Sequence, residues 1–325
     1  MSKFLVTGGH GLIGSHVVKL LQQRDEEVVV IDAHTTYGLI SRSEVDYLIG
    51  ERQKMLQPHK SLHMDIVNEI AVDKAFATHK PNTVIHLASF PRQKAVNADP
   101  ARAADVMIRG LVNMLESAVA HGVERFVFAS SSMVYGDFEN DVLEDDDCVP
   151  QGQYGILKLA GEQLVKDYAR RYNMEYVIIR PSAVYGPLDV ADRVIAKFML
   201  TAMRGGQLEV NGPDETLDFT YVEDCAAGIV SASTRIMARN NTYNITKSHS
   251  VTLQQAAEMV VDIVGRGSID VRDKDADFPS RGALNIDRAR TILGYDPKVD
   301  VEEGFREYYK WLSTSEYWKC QLQQV

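Results

Sequence analysis

The chain has 325 residues, 45% hydrophobic and 25% charged, with a formal net charge of -10. That length supports one large or two moderate globular domains with a substantial core, and the acidic balance argues against nucleic acid or an anionic membrane as a partner while leaving room for a local basic pocket. Cys148, Cys225 and Cys320 lie far apart without metal-ligand spacing, which predicts a reduced, cytoplasmic setting and no bound metal.

The first apolar run, FLVT at 4–7, is too short for a signal peptide or membrane span and reads as a strand. It enters TGGHGLIGSHVVKLL, where Gly8, Gly11 and Gly14 are spaced GxxGxxG before a helix expected at 12–24. Glycines permit a tight turn and close backbone approach to a pyrophosphate, and the free N–H groups of the helix N-terminus favour an anion there. Leu12 and Ile13 belong to the same turn. The second strand, VVVID at 28–32, ends at Asp32, 18 residues past Gly14. A carboxylate at that point accepts from both ribose hydroxyls of an adenosine and repels a 2′-phosphate, and no Arg or Lys follows until Arg42, so NAD is expected over NADP.

Further apolar runs fall at 83–88, 126–130 and 176–180, with helical patterns at 67–78, 101–121 and 153–172. Continuous rather than alternating apolar runs indicate strands covered on both faces, hence a doubly wound parallel sheet, the Rossmann-type α/β fold. His86, with an apolar residue on each side, reads as a packed structural histidine. The acidic block EDDD at 144–147 reads as a solvated surface loop. After residue 181, Pro and Gly punctuate shorter pieces, TYNIT at 242–246 resembles one more strand, and helical patterns follow at 252–264 and 287–293. The expected division is a dinucleotide-binding domain over 1–181, with a returning strand near 242–247, and a smaller, discontinuous substrate domain over 182–241 and 248–325.

Ser130, Ser131 and Ser132 follow the strand at 126–130 with no acid or base beside them, so a base must come from elsewhere. Tyr154 and Lys158 sit four apart and share one helix face. A phenol of pKa ~10 must lose about three units, about 4 kcal/mol, to act as a base near neutrality. One cation about 4 Å away at an effective dielectric near 20 supplies about that much. Lys158 and a positively charged nicotinamide are expected to do this together, with Ser131 only hydrogen-bonding the reacting oxygen.

TGGHGLIG, Asp32, HMDI at 63–66, VIHLAS at 84–89, SSSMVYG, YGILK and RPSAVYGP at 180–187 together resemble the extended short-chain dehydrogenase/reductase superfamily, in particular its NAD-dependent sugar-nucleotide epimerase/dehydratase branch. The resemblance continues to RGALNIDRARTILGYDP at 281–297. It implies Ser131, Tyr154 and Lys158 as the catalytic set. It also implies Asp65 and Ile66 on the adenine side, Leu87, Ala88 and Ser89 along the cofactor, and Ser130 and Pro181 near the nicotinamide. Ser132 and Ala183 fall beside the substrate, and Arg193 and Arg281 are the cations placed to meet its diphosphate, although each serves equally well as an ordinary salt bridge.

Relatives that eliminate water carry an acidic pair after the triad serine, where this chain has Ser132 and Met133; a thioether moves no proton. Epimerisation needs nothing beyond the triad, so a nucleotide-sugar epimerase acting at C4 through a transient 4-keto intermediate is expected. A net dehydrogenase or reductase, a dehydratase, and a nucleotide-binding scaffold are the alternatives. Three positions depart from the resemblance: Ala183 for Asn and Leu217 for Arg, where relatives contact the substrate's diphosphate side, and Met107 for Asn. The helices at 101–121 and 153–172 are apolar on more than one face, which predicts a homodimer through a four-helix interface.

Overall fold

The computed structural model describes residues 2–274 and 279–323. The first half alternates β1 (Lys3–Thr7), α1 (Leu12–Gln22), β2 (Glu27–Asp32), α2 (Arg42–Lys54), β3 (Lys60–His63), α3 (Glu69–His79), β4 (Thr83–His86), α4 (Gln93–Ala98), α5 (Pro100–Ala104), α6 (Gly110–Ala120), β5 (Arg125–Ala129), α7 (Gly152–Tyr172) and β6 (Glu175–Pro181). Then come β7 (Val184–Tyr185), α8 (Val194–Met203), β8 (Gln207–Asn211), β9 (Thr216–Asp218), β10 (Thr220–Tyr221), α9 (Val222–Thr234), β11 (Asn241–Ile245), β12 (Ser250–Thr252), α10 (Leu253–Val264), β13 (Ser268–Arg272), α11 (Val301–Thr314) and α12 (Glu316–Gln323).

Seven strands form one parallel sheet in the order β11-β6-β5-β4-β1-β2-β3, the doubly wound fold that the unbroken apolar runs predict. Its middle strands are covered on both faces: Leu5, Val6, Val84, Ile85 and Val127 have no exposed surface. Val17, Val18 and Leu21 of α1 and Ile229 of α9 pack one face, and Phe76 of α3, Leu111 of α6 and Val165 of α7 pack the other. From β1 the chain winds outward to β2 and β3, then returns to β4 on the opposite side. This reversal opens a crevice past the carboxyl ends of β1 and β4.

The helix expected at 101–121 is three pieces, with a wide π turn over Asp105–Arg109 between α5 and α6. A Cβ on Gly110 would come within 2.7 Å of the Ile66 side chain, so α6 enters close against the loop after β3. Between β1 and β4, two elements escape the apolar patterning. The edge strand β3, KSLH, is mostly exposed, and α2 buries Val45, Leu48 and Ile49 within an otherwise polar sequence.

Beyond β6, α8, α10, α11 and α12 enclose a second core built on Phe198, Met199, Phe219, Phe305, Tyr308 and Trp318. Three two-stranded pairings, β7 with β10, β9 with β12 and β8 with β13, frame it. The acidic block at 144–147 is exposed at Asp145, Asp146 and Asp147, as expected of a solvated loop, but not at Glu144. Glu144 is buried, its carboxylate accepting the Asn244 N–H of β11 at 3.0 Å and facing the Arg288 guanidinium at 3.6 Å. The burial cost of that charge is offset by a backbone donor and a cation, so this segment is held to the sheet. The same loop pairs with the segment after 279 through bridges at Phe138–Arg281 and Val142–Leu284.

Candidate active site

The crevice past β1 and β4 holds a cavity of about 340 Å³, and α8, β8 and β9 line a second of about 760 Å³. Ser130, Tyr154, Pro181, Asp189 and Arg193 line both, so the cavities meet there. Gly8, Gly11, Leu12, Ile13, Gly14, Asp32, Asp65, Ile66, Leu87, Ala88, Ser89, Ser130, Tyr154, Lys158 and Pro181 all line the first; Ser131, Ser132, Ala183, Arg193 and Arg281 line the second.

The glycine turn follows β1 directly. Gly8 has φ 68, and a Cβ there would lie 2.9 Å from the Ala88 nitrogen of the neighbouring strand end. A Cβ on Gly14 would overlap the Gly8 carbonyl and come 2.8 Å from the Gly9 Cα. Side chains are therefore excluded where the N-terminus of α1 faces the cavity, which suits a dinucleotide pyrophosphate. Asp32, at the end of β2, accepts the backbone N–H groups of His10 and His34, each at 2.9 Å, one per carboxylate oxygen. A carboxylate has about four lone-pair sites, so capacity for two ribose hydroxyls remains. Burial holds the rings of His10 (pKa about 4) and His34 below the ordinary imidazole range, so they add no positive charge at neutral pH for a 2′-phosphate. Arg42 is engaged elsewhere, donating to the His34 carbonyl at 3.0 Å and pairing with Asp46 at 2.7 Å.

Tyr154, Lys158 and Glu162 occupy successive turns of the buried face of α7. The Lys158 ammonium donates to the Ala129 carbonyl at 2.7 Å and lies 5.8 Å from the centre of the Tyr154 ring. Burial lowers its pKa to about 7, against an opposing pull from Glu162. Glu162 is itself fixed by Arg180 at 2.9 and 2.7 Å and by the Ser130 hydroxyl at 2.5 Å. The Ser131 hydroxyl oxygen accepts the Met133 N–H at 3.2 Å, which leaves its proton free to donate, and Ser131 is near enough to the Tyr154 phenol to pull its pKa down.

The phenol differs from expectation in one respect. Burial raises the Tyr154 pKa, and the downward pulls come from Ser131, Arg193 and Arg281 rather than from Lys158. Within the protein alone desolvation wins, so a further positive charge is needed before the phenol serves as a base near neutrality.

In the second cavity, the Arg281 Nε is enclosed without a hydrogen-bond partner, and burial and the nearby Arg193 lower its guanidinium to about 10. Arg193 lies 3.8 Å from Asp189, a long ion pair. The three departures have separate places. Ala183 lines the second cavity with φ 33, a conformation that favours Gly or Asn, Leu217 lines the same cavity, and Met107 packs with Met133 and Tyr154 in a small core. His86 is the packed residue expected, with its ring bonded to the Thr7 hydroxyl at 3.0 Å.

Sequence reasoning passed over four groups that shape this site. Arg52 of α2 is buried and donates to the His10 carbonyl at 3.0 Å and the Leu188 carbonyl at 2.6 Å, tying the glycine turn to the loop before Arg193. Asp189 is buried where the cavities meet, and its Oδ2 has no hydrogen bond, only the long ion pair to Arg193. Arg92 binds Asp192, and Gln93 accepts the Tyr154 N–H at 3.0 Å. None has a local spacing signal. Only proximity to the end of β4, where ligands of such sheets bind, singles out the last two.

The profile of the NAD dependent epimerase/dehydratase family matches residues 4–246. The chain belongs to this family. An uncharacterised UDP-glucose epimerase of Bacillus subtilis is 29% identical, covering 96% of this chain and 98% of that protein. The UDP-glucose 4-epimerase of Thermotoga maritima, solved with UDP-glucose, superposes with a TM-score of 0.84 at 27% identity, over 96% of this chain and 98% of the other. The UDP-glucuronic acid 4-epimerase of Bacillus cereus, solved with UDP-glucuronic acid and NAD, gives 0.87 at 26% identity, over 95% and 98%.

Proposed function

We propose that this protein is an NAD-dependent 4-epimerase of a nucleotide-diphosphate sugar. One observation carries the reading: Tyr154, one helical turn from Lys158 and close to Ser131, stands where a glycine-walled cavity ending at a carboxylate meets a larger cavity containing Arg193 and Arg281. The residues lining the first cavity would hold NAD, with Gly8, Gly11 and Gly14 against the pyrophosphate and Asp32 on the adenosine ribose. When bound, NAD supplies a positively charged hydride acceptor that can return the same hydride to the opposite face of the sugar.

Tyr154 takes the proton of the C4 hydroxyl and later gives it back. Ser131 donates a hydrogen bond to the reacting oxygen, and Lys158 keeps two N–H groups beyond the one on Ala129. Arg193 and Arg281 meet the diphosphate, in a cavity where Ala183 and Leu217 offer no polar side chain. Ser132 donates to Ser182 at 3.2 Å, and Met133 is buried against Tyr154; neither provides the acid that elimination of water requires.

We assign residues 1–181 and the returning strand to cofactor binding, and 182–241 with 248–325 to the substrate. The protein is cytoplasmic in this reading; among the described residues no helix is long and apolar enough to cross a membrane. It forms a homodimer through α6 and α7, where Ile156 is 51% exposed and Leu157 and Leu164 are half-buried. Light scattering at micromolar concentration tests this, and a monomeric mass refutes it. Incubation with UDP-, GDP-, CDP- and dTDP-sugars without added NAD, read by NMR, tests the activity. One C4-inverted product is expected; a net oxidised or dehydrated product overturns it.

A further inference from the structure

We propose that Gln93 is a positioning residue for Tyr154, setting where the phenol stands between Ser131 and Lys158; this rests on reading Tyr154 as the base. Tyr154 is the third residue of α7, so its backbone N–H is one of the first-turn donors that a helix cannot satisfy internally. The residue before the helix, Gln151, makes no side-chain cap. The acceptor comes instead from 61 positions upstream: Gln93 Oε1 takes the Tyr154 N–H at 3.0 Å.

The Gln93 amide cannot turn over at no cost, because its Nε2 donates to Asn97 Oδ1 at 2.7 Å one turn along α4. Gln93 is buried and lines the substrate cavity with Tyr154. Room for its amide is made by Gly152, at φ 76, where a Cβ would approach the three Gln93 amide atoms at 2.6 to 2.8 Å. Any L side chain at 152 would displace Gln93, so the start of α7 and the segment after β4 are fitted to each other. Gln93 follows Ser89 by four residues, and through it the wall of the cofactor cavity fixes the backbone that carries the base.

The test compares Gln93→Leu, which keeps the volume and removes the acceptor, with Gln93→Glu, which keeps the acceptor, on the nucleotide sugar that the enzyme turns over. Gln93→Leu should lower kcat by about 10- to 100-fold, leave KM within about twofold and leave co-purified NAD unchanged. Its acid limb of kcat should move to higher pH, because a phenol displaced from Ser131 and the two arginines loses the contacts that lower its pKa. Gln93→Glu keeps the acceptor but loses the donor to Asn97 and buries a carboxylate, so it should recover kcat only in part, while staying clearly faster than Gln93→Leu. Wild-type kcat in Gln93→Leu, a lowered kcat with an unmoved pH profile, or a Gln93→Glu as slow as Gln93→Leu overturns the assignment. Tyr154→Phe serves as the reference: if it retains turnover, the reading of the base fails whatever Gln93 does.

Discussion

The two cavities meeting at Tyr154 are built by different means. The cofactor cavity is shaped by backbone: a turn that excludes Cβ atoms at Gly8 and Gly14, the N-terminus of α1, and a carboxylate fixed by two main-chain donors. The substrate cavity is shaped by side-chain charge, with Arg92, Arg193 and Arg281 set among Asp189, Asp192 and Glu215. Backbone geometry leaves a local record in sequence, whereas a charge cluster gathered from distant segments leaves none. Substitutions should therefore act almost all-or-none in the first cavity and by degrees in the second.

The largest effect is expected from Gly14→Ala, since the added methyl overlaps the Gly8 carbonyl. The purified variant should carry no NAD by absorbance and fluorescence; retained NAD would show that the turn can give way. Lys158→Met comes next and separates function from stability. Its folded pKa, about 7, lies below the ordinary 10.5, so burying this ammonium costs stability in full below pH 7, and the cost disappears as pH rises through 10.5. Removing it should abolish turnover yet raise stability by about 1–3 kcal/mol at pH 7 in urea melts, because Glu162 keeps its bonds to Arg180 and Ser130. A destabilised variant would show instead that Lys158 is needed to balance Glu162.

How much was legible follows the same division. Gly8, Gly11, Gly14 and Asp32 could be read because spacing alone places them, and the seven strands of the sheet could be read except β3, whose KSLH sequence is exposed at the edge. Tyr154 and Lys158 could be paired by helical spacing. Arg52 and Gln93 could not, since each acts through a backbone group that only the folded chain brings near. Glu144 was misread for the same reason: like charges in a row imply water, but the Asn244 N–H and Arg288 arrive from more than 90 residues away.

In the substrate cavity, Arg281→Met should raise KM by about 10- to 100-fold, the worth of charge-assisted hydrogen bonds to a diphosphate, while NAD retention stays intact. An unchanged KM would return Arg281 to a structural role. The smallest effect is the acid response of the cofactor half. His10 and His16 are held near pKa 4 and His86 near 3 against an ordinary 6.5, so the folded state resists protonation. The stability they allow is complete above 6.5 and is lost as pH falls toward 4. Lowering the pH from 7 to 6 should cost on the order of 0.5 kcal/mol per histidine, and His86→Asn should flatten that slope.

The most direct test follows the hydrogen on the inverted carbon. The nucleotide sugar that the enzyme turns over, deuterated at C4 and incubated in ordinary water without added NAD, should give the C4 epimer with the deuterium retained at C4 and no accumulation of NADH. Loss of the label to solvent, or one equivalent of NADH per product, would contradict a hydride that leaves and returns beside Tyr154.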